Sequence, residues 1–414
     1  MTGPDRQTAA GEWLDSLAGV GWRPGLERSG ALMKALDSPQ DRYRTIHVVG
    51  TNGKTSTTLY AAALLGAQGF RAGSLTSPHL FDWTERVRVA DEPVSADLWQ
   101  AALDRTRSAV AEVEAALPEA GPVTQFEAAT AAAFLALAEA GVEFAVIEAG
   151  LGGRLDSTNV IPSEATVLTS IGLDHTEWLG ETELEIAGEK LAVLRPGTTL
   201  VTGPLDPAIR DLSVETARER DCELIEVADP GVGPALPAGR YARIDFALAL
   251  AAVGLLTGEP SEGERRKALE GPGPRGRLER AGDDPTVIFD VAHNAAGIEA
   301  LAESIREVIE EDRLVVVFGC LDDRDPAELL APLAGIAVKV FACRTPSVGG
   351  PAGREGLDPA AIAEAAAASG MGAEAFEDPG DALAAAVDEA GRIDAAVLAC
   401  GSHGLIGSLL RLQR

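Results

Sequence analysis

The stretch Thr45-Ile46-His47-Val48-Val49-Gly50-Thr51-Asn52-Gly53-Lys54-Thr55-Ser56-Thr57 decides how the chain is read. Residues 45–49 form an apolar, β-branched run that predicts a strand, and residues 56–68 have the composition of a helix. A glycine-rich turn between strand and helix is the setting of a phosphate loop, where backbone N–H groups and a helix N-terminus face an anion. The usual loop is G-x-x-x-x-G-K-[ST]; here Val48 takes the place of the first glycine. Gly50 and Gly53 permit close backbone approach, Lys54 can reach the outer phosphates, and the Thr55 hydroxyl suits Mg2+. The bland alternative is an ordinary glycine turn, and the succession of strand, G-K-T and helix outweighs it. The loop leaves the acceptor of the phosphate unspecified.

The same alternation continues along the chain. Strands are predicted at residues 45–49, 144–148, 166–171, 198–202, 287–291, 314–318, 338–343 and 396–399, and helices at 127–140, 298–309 and 381–390. The alanine runs 128–133 and 360–368 are read as helix, since alanine is the best helix former. Strands apolar throughout and separated by helices imply parallel sheets covered on both faces, hence an α/β fold. Glu270-Gly271-Pro272-Gly273-Pro274-Arg275-Gly276-Arg277 breaks any helix. It divides a catalytic domain, residues 1–272, from a smaller Rossmann-like α/β domain, residues 273–414. No internal repeat is evident.

Composition narrows the partners. With 35 basic and 64 acidic residues, a net charge of −29 repels nucleic acid and anionic membrane. No apolar run reaches the length of a bilayer span, and the first residues lack a secretory pattern, so a cytoplasmic protein is expected. Cys222, Cys320, Cys343 and Cys400 show no C-x-x-C spacing and read as reduced thiols, the last three at or near the ends of apolar runs. Lysine is rare: Lys34, Lys54, Lys190, Lys267 and Lys339 stand against thirty arginines. Where a generic cation suffices this chain uses arginine, so a lysine marks a place that needs a compact or titratable amine.

Four further stretches carry chemistry. Thr76-Ser77-Pro78-His79 is a turn in which Ser77 offers a hydroxyl to a metal, and Arg86 and Arg88 alternate on one side of the strand-like run that follows. Glu148 ends the apolar run at 144–148, as a carboxylate facing Mg2+ at a sheet edge would. The loop behind it, Gly150-Leu151-Gly152-Gly153-Arg154-Leu155-Asp156-Ser157-Thr158-Asn159, places Arg154, Asp156 and Asn159 to hold a polar substrate. Leu173-Asp174-His175 follows another strand, with His175 a candidate metal ligand beside Thr55, Ser77 and Glu148. Lys190 lies on a predicted helix, where the bland alternative is a snorkelling surface lysine. In the second domain a strand ends in Asp290-Val291-Ala292-His293-Asn294. Asp290 suits a ribose hydroxyl, His293 or Asn294 suits phosphate or base, and Arg277, just beyond the linker, suits a triphosphate.

Together G-T-N-G-K-T, T-S-P-H, E-A-G-L-G-G-R-L-D-S-T-N, L-D-H-T-E-W-L-G, G-E-K and D-V-A-H-N resemble the folylpolyglutamate synthase/dihydrofolate synthase family of the Mur ligase superfamily. The likeness runs from about residue 10 to the C-terminus with the motifs in the family's order. It implies a Mur-ligase-like ATPase domain and ATP-dependent amide formation between a folate-type carboxylate and L-glutamate. It further implies ATP on residues 50–57 and on Arg277, Asp290, His293 and Asn294. Magnesium, two ions, is implied on Thr55, Ser77, Glu148 and His175, with Lys190 as a CO2-derived carbamate. A monovalent cation and a monomeric enzyme complete the picture. Gln125-Phe126-Glu127 is similar to a segment lining the family's active site, which adds Glu127 to the substrate candidates. The chain departs from the family where Arg324 stands in place of lysine and through residues 345–355.

The expected reaction is attack of a substrate carboxylate on the γ-phosphate of ATP, giving an acyl phosphate that the amine of glutamate then displaces. A ligase acting on a peptidoglycan precursor, a small-molecule kinase and a catalytically silent nucleotide binder are the competing readings. The L-D-H-T-E-W-L-G and G-L-G-G-R-L-D motifs favour the folate branch.

Overall fold

In the computed structural model, which describes residues 9–271, 273–346 and 354–413, the predicted strands become the central strands of two sheets. The first sheet contains β1 (Arg44–Val49), β2 (Ala72–Leu75), β3 (Val87–Val89), β4 (Glu92–Pro93), β5 (Phe144–Glu148), β6 (Ala165–Leu168), β7 (Thr199–Thr202) and β8 (Glu223–Glu226). Their spatial order is β4-β3-β2-β5-β1-β6-β7-β8. Pairing is parallel from β2 to β8, and only β3 and β4 run antiparallel. β1 therefore sits between β5 and β6, where the connections diverge to opposite sides. That crevice, at the carboxyl ends of the strands, is where open α/β sheets bind ligands.

The second sheet contains β9 (Glu279–Asp283), β10 (Thr286–Phe289), β11 (Arg313–Phe318), β12 (Ala337–Cys343), β13 (Gly372–Phe376) and β14 (Ala395–Cys400). The order is β13-β12-β11-β14-β10-β9, parallel except for β9. By contacts the chain forms two units, Met1–Leu236 with Ile244–Gly273 and Pro237–Arg243 with Pro274–Arg414.

Each unit has its own core. In the first, helix Gln125–Glu139 is buried from Glu127 to Leu137. Its alanines let it lie close against the sheet, and Phe134 fills the layer between. The helix after the loop, Lys54–Ala67, buries Leu64 and Leu65. In the second, Ile298, Leu301 and Ile305 recur at helical spacing along Ala295–Ile305 and pack on Val316 and Leu398. Cys320, Cys343 and Cys400 are buried free thiols. No helix among the described residues is long and apolar enough to cross a membrane.

Several boundaries moved for identifiable reasons. The strand expected at 166–171 stops at Leu168, because Ser170 turns its carbonyl and hydroxyl to the phosphate loop instead of a neighbouring strand. The strand expected at 287–291 ends at Phe289, since Asp290 draws the Ala292 amide into a turn. Arg86 and Arg88 do not share a strand: Arg86 closes a 3-10 turn, Trp83–Arg86, and only Arg88 lies on β3. Strands β2, β8, β9 and β13 were not foreseen, being short and poor in β-branched residues. The departure at residues 345–355 lies largely outside the described residues.

Candidate active site

Helix Lys54–Ala67 starts directly after Gly53, two residues earlier than its composition suggests. The amides of its first turn have no carbonyl one turn back, so they and the helix dipole point positive potential at the crevice beside β1. Thr51 and Asn52 spend their amides on the Ser170 carbonyl (2.8 Å) and hydroxyl (3.0 Å). They shape the loop, and the cradle for an anion falls to the amides from Gly53 to Ser56. Gly50 has no alternative: at φ 154, an added Cβ would lie 1.9 Å from Thr169 Oγ1.

Lys54 curls over the loop, its Nζ donating to the carbonyls of Gly50 (2.9 Å) and Thr51 (3.0 Å). Thr55 Oγ1 lies 3.0 Å from both carboxylate oxygens of Glu148, and the Ser77 amide donates to Glu148 Oε2 at 3.0 Å. Two residues, 93 and 71 positions away in the chain, thus converge on one buried carboxylate. Arg86 lies close enough to share its field with Glu148; burial pulls its guanidinium down to about 10. Its Nε donates to His79 Nδ1 at 2.9 Å, while its guanidinium stacks over Trp83.

Lys190 is the clearest departure from a surface lysine. It is 4% exposed, and its Nζ donates to the same Gly50 carbonyl at 2.8 Å. Burial, reinforced by the Lys54 charge, lowers it from 10.5 to about 7. The glycine loop behind Glu148 docks on this helix: Arg154 donates its amide to the Glu189 carbonyl (2.9 Å) and its Nε to the Glu189 carboxylate (2.8 Å). An added Cβ at Gly153 would lie 2.8 Å from the Glu189 carbonyl and 3.0 Å from Lys190 Cα.

His175 is half-buried in the loop after β6, which is tied to the phosphate loop by hydrogen bonds between Thr51 Oγ1 and both backbone polar groups of Gly172. It holds a left-handed backbone, φ 50, strain of a kind that concentrates at functional sites. No cluster of three His, Cys, Asp or Glu with metal-holding geometry occurs among the described residues. The hard oxygen pair of Thr55 and Glu148 is what the first unit offers.

Three substrate candidates turn inward. Glu127 is buried, with both oxygens 3.0 Å from Arg28 Nε and one accepting the Thr124 amide; its charge caps a helix and pairs with arginine. Its neighbour Phe126 meets the glycine loop instead, its ring filling the space over Gly150. Asp156 accepts from the Leu151 amide and from the amide and hydroxyl of Thr158, and burial raises it. His47 completes this network through Thr158 Oγ1 (2.9 Å) and is lowered to about 3 by burial. Asn159 donates to the Arg154 carbonyl. These residues build the loop, and Arg154 alone of the four keeps an exposed side chain.

In the second unit Asp290 likewise faces inward. It accepts from Tyr241 Oη (2.5 Å) and the amides of Leu278 and Ala292; burial raises it against the pull of Arg277. Asn294 is the N-cap of helix Ala295–Ile305, accepting the Gly297 amide at 2.8 Å. A buried carboxylate and a buried cap are poor contacts for a nucleotide. Arg277 and His293 remain half-buried at the carboxyl edge of the sheet, joined there by His403. Sequence reasoning passed over His403, although one of five histidines directly after an apolar strand was a usable signal.

Comparison with known proteins finds matches in both units. The Mur ligase middle domain matches residues 48–225, and the glutamate ligase domain of Mur ligases matches residues 276–403. The chain is 34% identical over 357 residues to a dihydrofolate synthase/folylpolyglutamate synthase of Bacillus subtilis, covering 79% of this chain and 83% of that protein. It superimposes with TM-score 0.87 and 31% identity on a Mycobacterium tuberculosis folylpolyglutamate synthase complexed with ADP and AMPPCP, over 97% of each chain. A bifunctional folylpolyglutamate synthase/dihydrofolate synthase of Yersinia pestis, complexed with AMPPNP and a Mn ion, matches with TM-score 0.82 and 28% identity over 99% of each.

Proposed function

The chain belongs to the dihydrofolate synthase/folylpolyglutamate synthase family of Mur ligases, and from that membership we propose how its residues divide the work. The protein is an ATP-dependent ligase that joins L-glutamate to a folate-type carboxylate. The observation that carries the assignment is the convergence of Thr55 and Ser77 on Glu148 beside the Lys54 loop. An anion cradle and a metal-type carboxylate occupy one crevice.

The amides from Gly53 to Ser56 and Lys54 hold the outer phosphates of ATP, orienting the γ-phosphate toward the substrate carboxylate. Attack forms an acyl phosphate, and exclusion of water protects it until the amine arrives. Thr55 and Glu148 suit a divalent cation, which takes oxygen donors and keeps several waters, with Ser77 and His175 completing its surroundings. When bound, that ion neutralises charge developing on the phosphates. Lys190 fits a carbamate: an amine brought down to about 7 is partly unprotonated near neutral pH, the form that reacts with CO2, and arginine has no equivalent. The carbamate would supply oxygen donors for a second ion.

Dihydropteroate and tetrahydrofolate are both proposed acceptors, with a monovalent cation as activator. The protein is proposed to be a monomer, and its four free cysteines suit the reducing cytoplasm. Mass spectrometry of mixtures of enzyme, Mg-ATP, glutamate and either acceptor should show the amide product with each. Phosphate release indifferent to both acceptor and glutamate would overturn the reading.

A further inference from the structure

Arg86 is a half-buried cation in the first unit, on the turn between β2 and β3. Its Nε donates to His79 Nδ1 at 2.9 Å, and its guanidinium carbon lies 4.2 Å from the centre of the Trp83 ring. Trp83 is itself fixed, by its indole N–H on Asp15 Oδ1 (3.1 Å) and by the His79 ring, with centroids 4.8 Å apart. The guanidinium is thus held on one face and at one nitrogen. Neither Nη has a hydrogen-bond or ion-pair partner among the described residues.

The carboxylates whose field reaches Arg86 are Glu148, Asp15 and Glu85. Each has donors of its own. Glu148 takes the Thr55 hydroxyl and the Ser77 amide, Asp15 the Trp83 indole, and Glu85 the amides of Leu80, Phe81 and Asp82. Burial lowers the guanidinium to about 10 in spite of them, so the protein desolvates this charge more than it compensates it. Such a charge is costly to keep unless an anion arrives to pair with it. A held guanidinium with both Nη groups open suits a carboxylate bound through its two oxygens.

Position along the sheet selects the anion. β5, ending in Glu148, lies between β1 and β2. The phosphate loop leaves β1 on one side of Glu148, and the turn bearing Ser77 and Arg86 leaves β2 on the other. The loop takes the triphosphate. The acceptor is the reactant that meets the γ-phosphate at Glu148, so the anion on the Arg86 side is assigned to it. Its attacking carboxylate is a poor match, because a bidentate arginine engages both oxygens and holds back the lone pair that must reach phosphorus. An acceptor that already ends in glutamate has a second carboxylate that does not react. Dihydropteroate has none.

Resting on the ligase reading above, we propose that Arg86 binds the non-reacting carboxylate of an acceptor that ends in glutamate, and so sets the preference between glutamylated and unglutamylated acceptors. The contact orients the neighbouring carboxylate toward the γ-phosphate. With dihydropteroate it is not made.

Two comparisons test this. In the wild type, tetrahydrofolate converted to the carboxamide at its non-reacting carboxylate should show a KM about 10- to 100-fold above that of the parent, the weight of a charge-assisted pair. An unchanged KM overturns the proposal, and no variant has to fold for that result. In Arg86→Gln the ratio of kcat/KM for tetrahydrofolate to that for dihydropteroate should fall by the same factor, and acid and carboxamide should become near-equal acceptors. Arg86→Lys should restore part of the ratio. An unchanged ratio, whether both acceptors fall together or neither does, makes Arg86 a structural residue or a contact of the reacting carboxylate and overturns the proposal. A raised KM for the incoming glutamate with both acceptors overturns it as well. Wild-type enzyme that ligates glutamate to neither acceptor would sink the ligase reading instead.

Discussion

Single side chains here answer to burial more than to type. Lys54 and Lys190 both donate to the Gly50 carbonyl, and Lys190 is enclosed enough to lose its proton near neutral pH. Its folded value lies below the usual 10.5, so the unfolded chain binds more protons between about 7 and 10.5. Stability of the nucleotide-free protein should therefore rise with pH through that window. In Lys190→Met the dependence should flatten; urea midpoints at pH 7 and pH 9 measure it, and an unchanged slope would contradict the burial argument. Lys190→Arg should lower ligation at least 100-fold, because arginine keeps its charge and forms no carbamate. Added bicarbonate should leave that variant inactive in a phosphate-release assay. The rarity of lysine pointed to this residue. Its state could not be foreseen, because the apolar enclosure and the second ammonium come from other elements.

At the scale of elements, the loop from Gly150 to Asn159 shows what spacing conceals. Its polar residues suggested a substrate grip, and most of them hydrogen-bond within the loop or to the helix bearing Lys190. Glycine at 153 is needed for contact with that helix backbone. Gly153→Ala should cost about 1–3 kcal/mol by overpacking and should lower kcat as Lys190 moves off Gly50; denaturant melts and steady-state rates read the two effects. Asn294→Ala removes a helix cap and should cost about 0.5–2 kcal/mol with ATP affinity unchanged in calorimetry. A large loss of ATP affinity would restore Asn294 as a nucleotide contact. The strand cores at 144–148 and 314–318 were legible because fully buried parallel strands are apolar at every position. The edge strands β8 and β13 were not, since half of their residues face solvent and the remaining signal is short.

For the whole molecule, a net charge of −29 sets self-repulsion against many exposed arginine–carboxylate pairs. Such surface pairs contribute little individually, so repulsion should dominate. Raising salt from about 0.01 M to about 0.1 M shortens the Debye length from about 30 Å to about 10 Å and should raise Tm; a flat or falling Tm would show that the pairs prevail. The sequence by itself determined the α/β class, the strand-loop-helix succession at residues 45–67 and the family, because hydrophobic period, glycine placement and motif order are local properties of the chain. Tertiary structure decided which polar residues converge at the crevice and which are spent on holding the fold. It placed Thr55 and Ser77 on Glu148, turned Glu127, Asp156 and Asp290 inward, and brought His403 beside His293. Those outcomes depend on desolvation and on partners from distant segments, and strand order in the sheet, not distance along the chain, sets both.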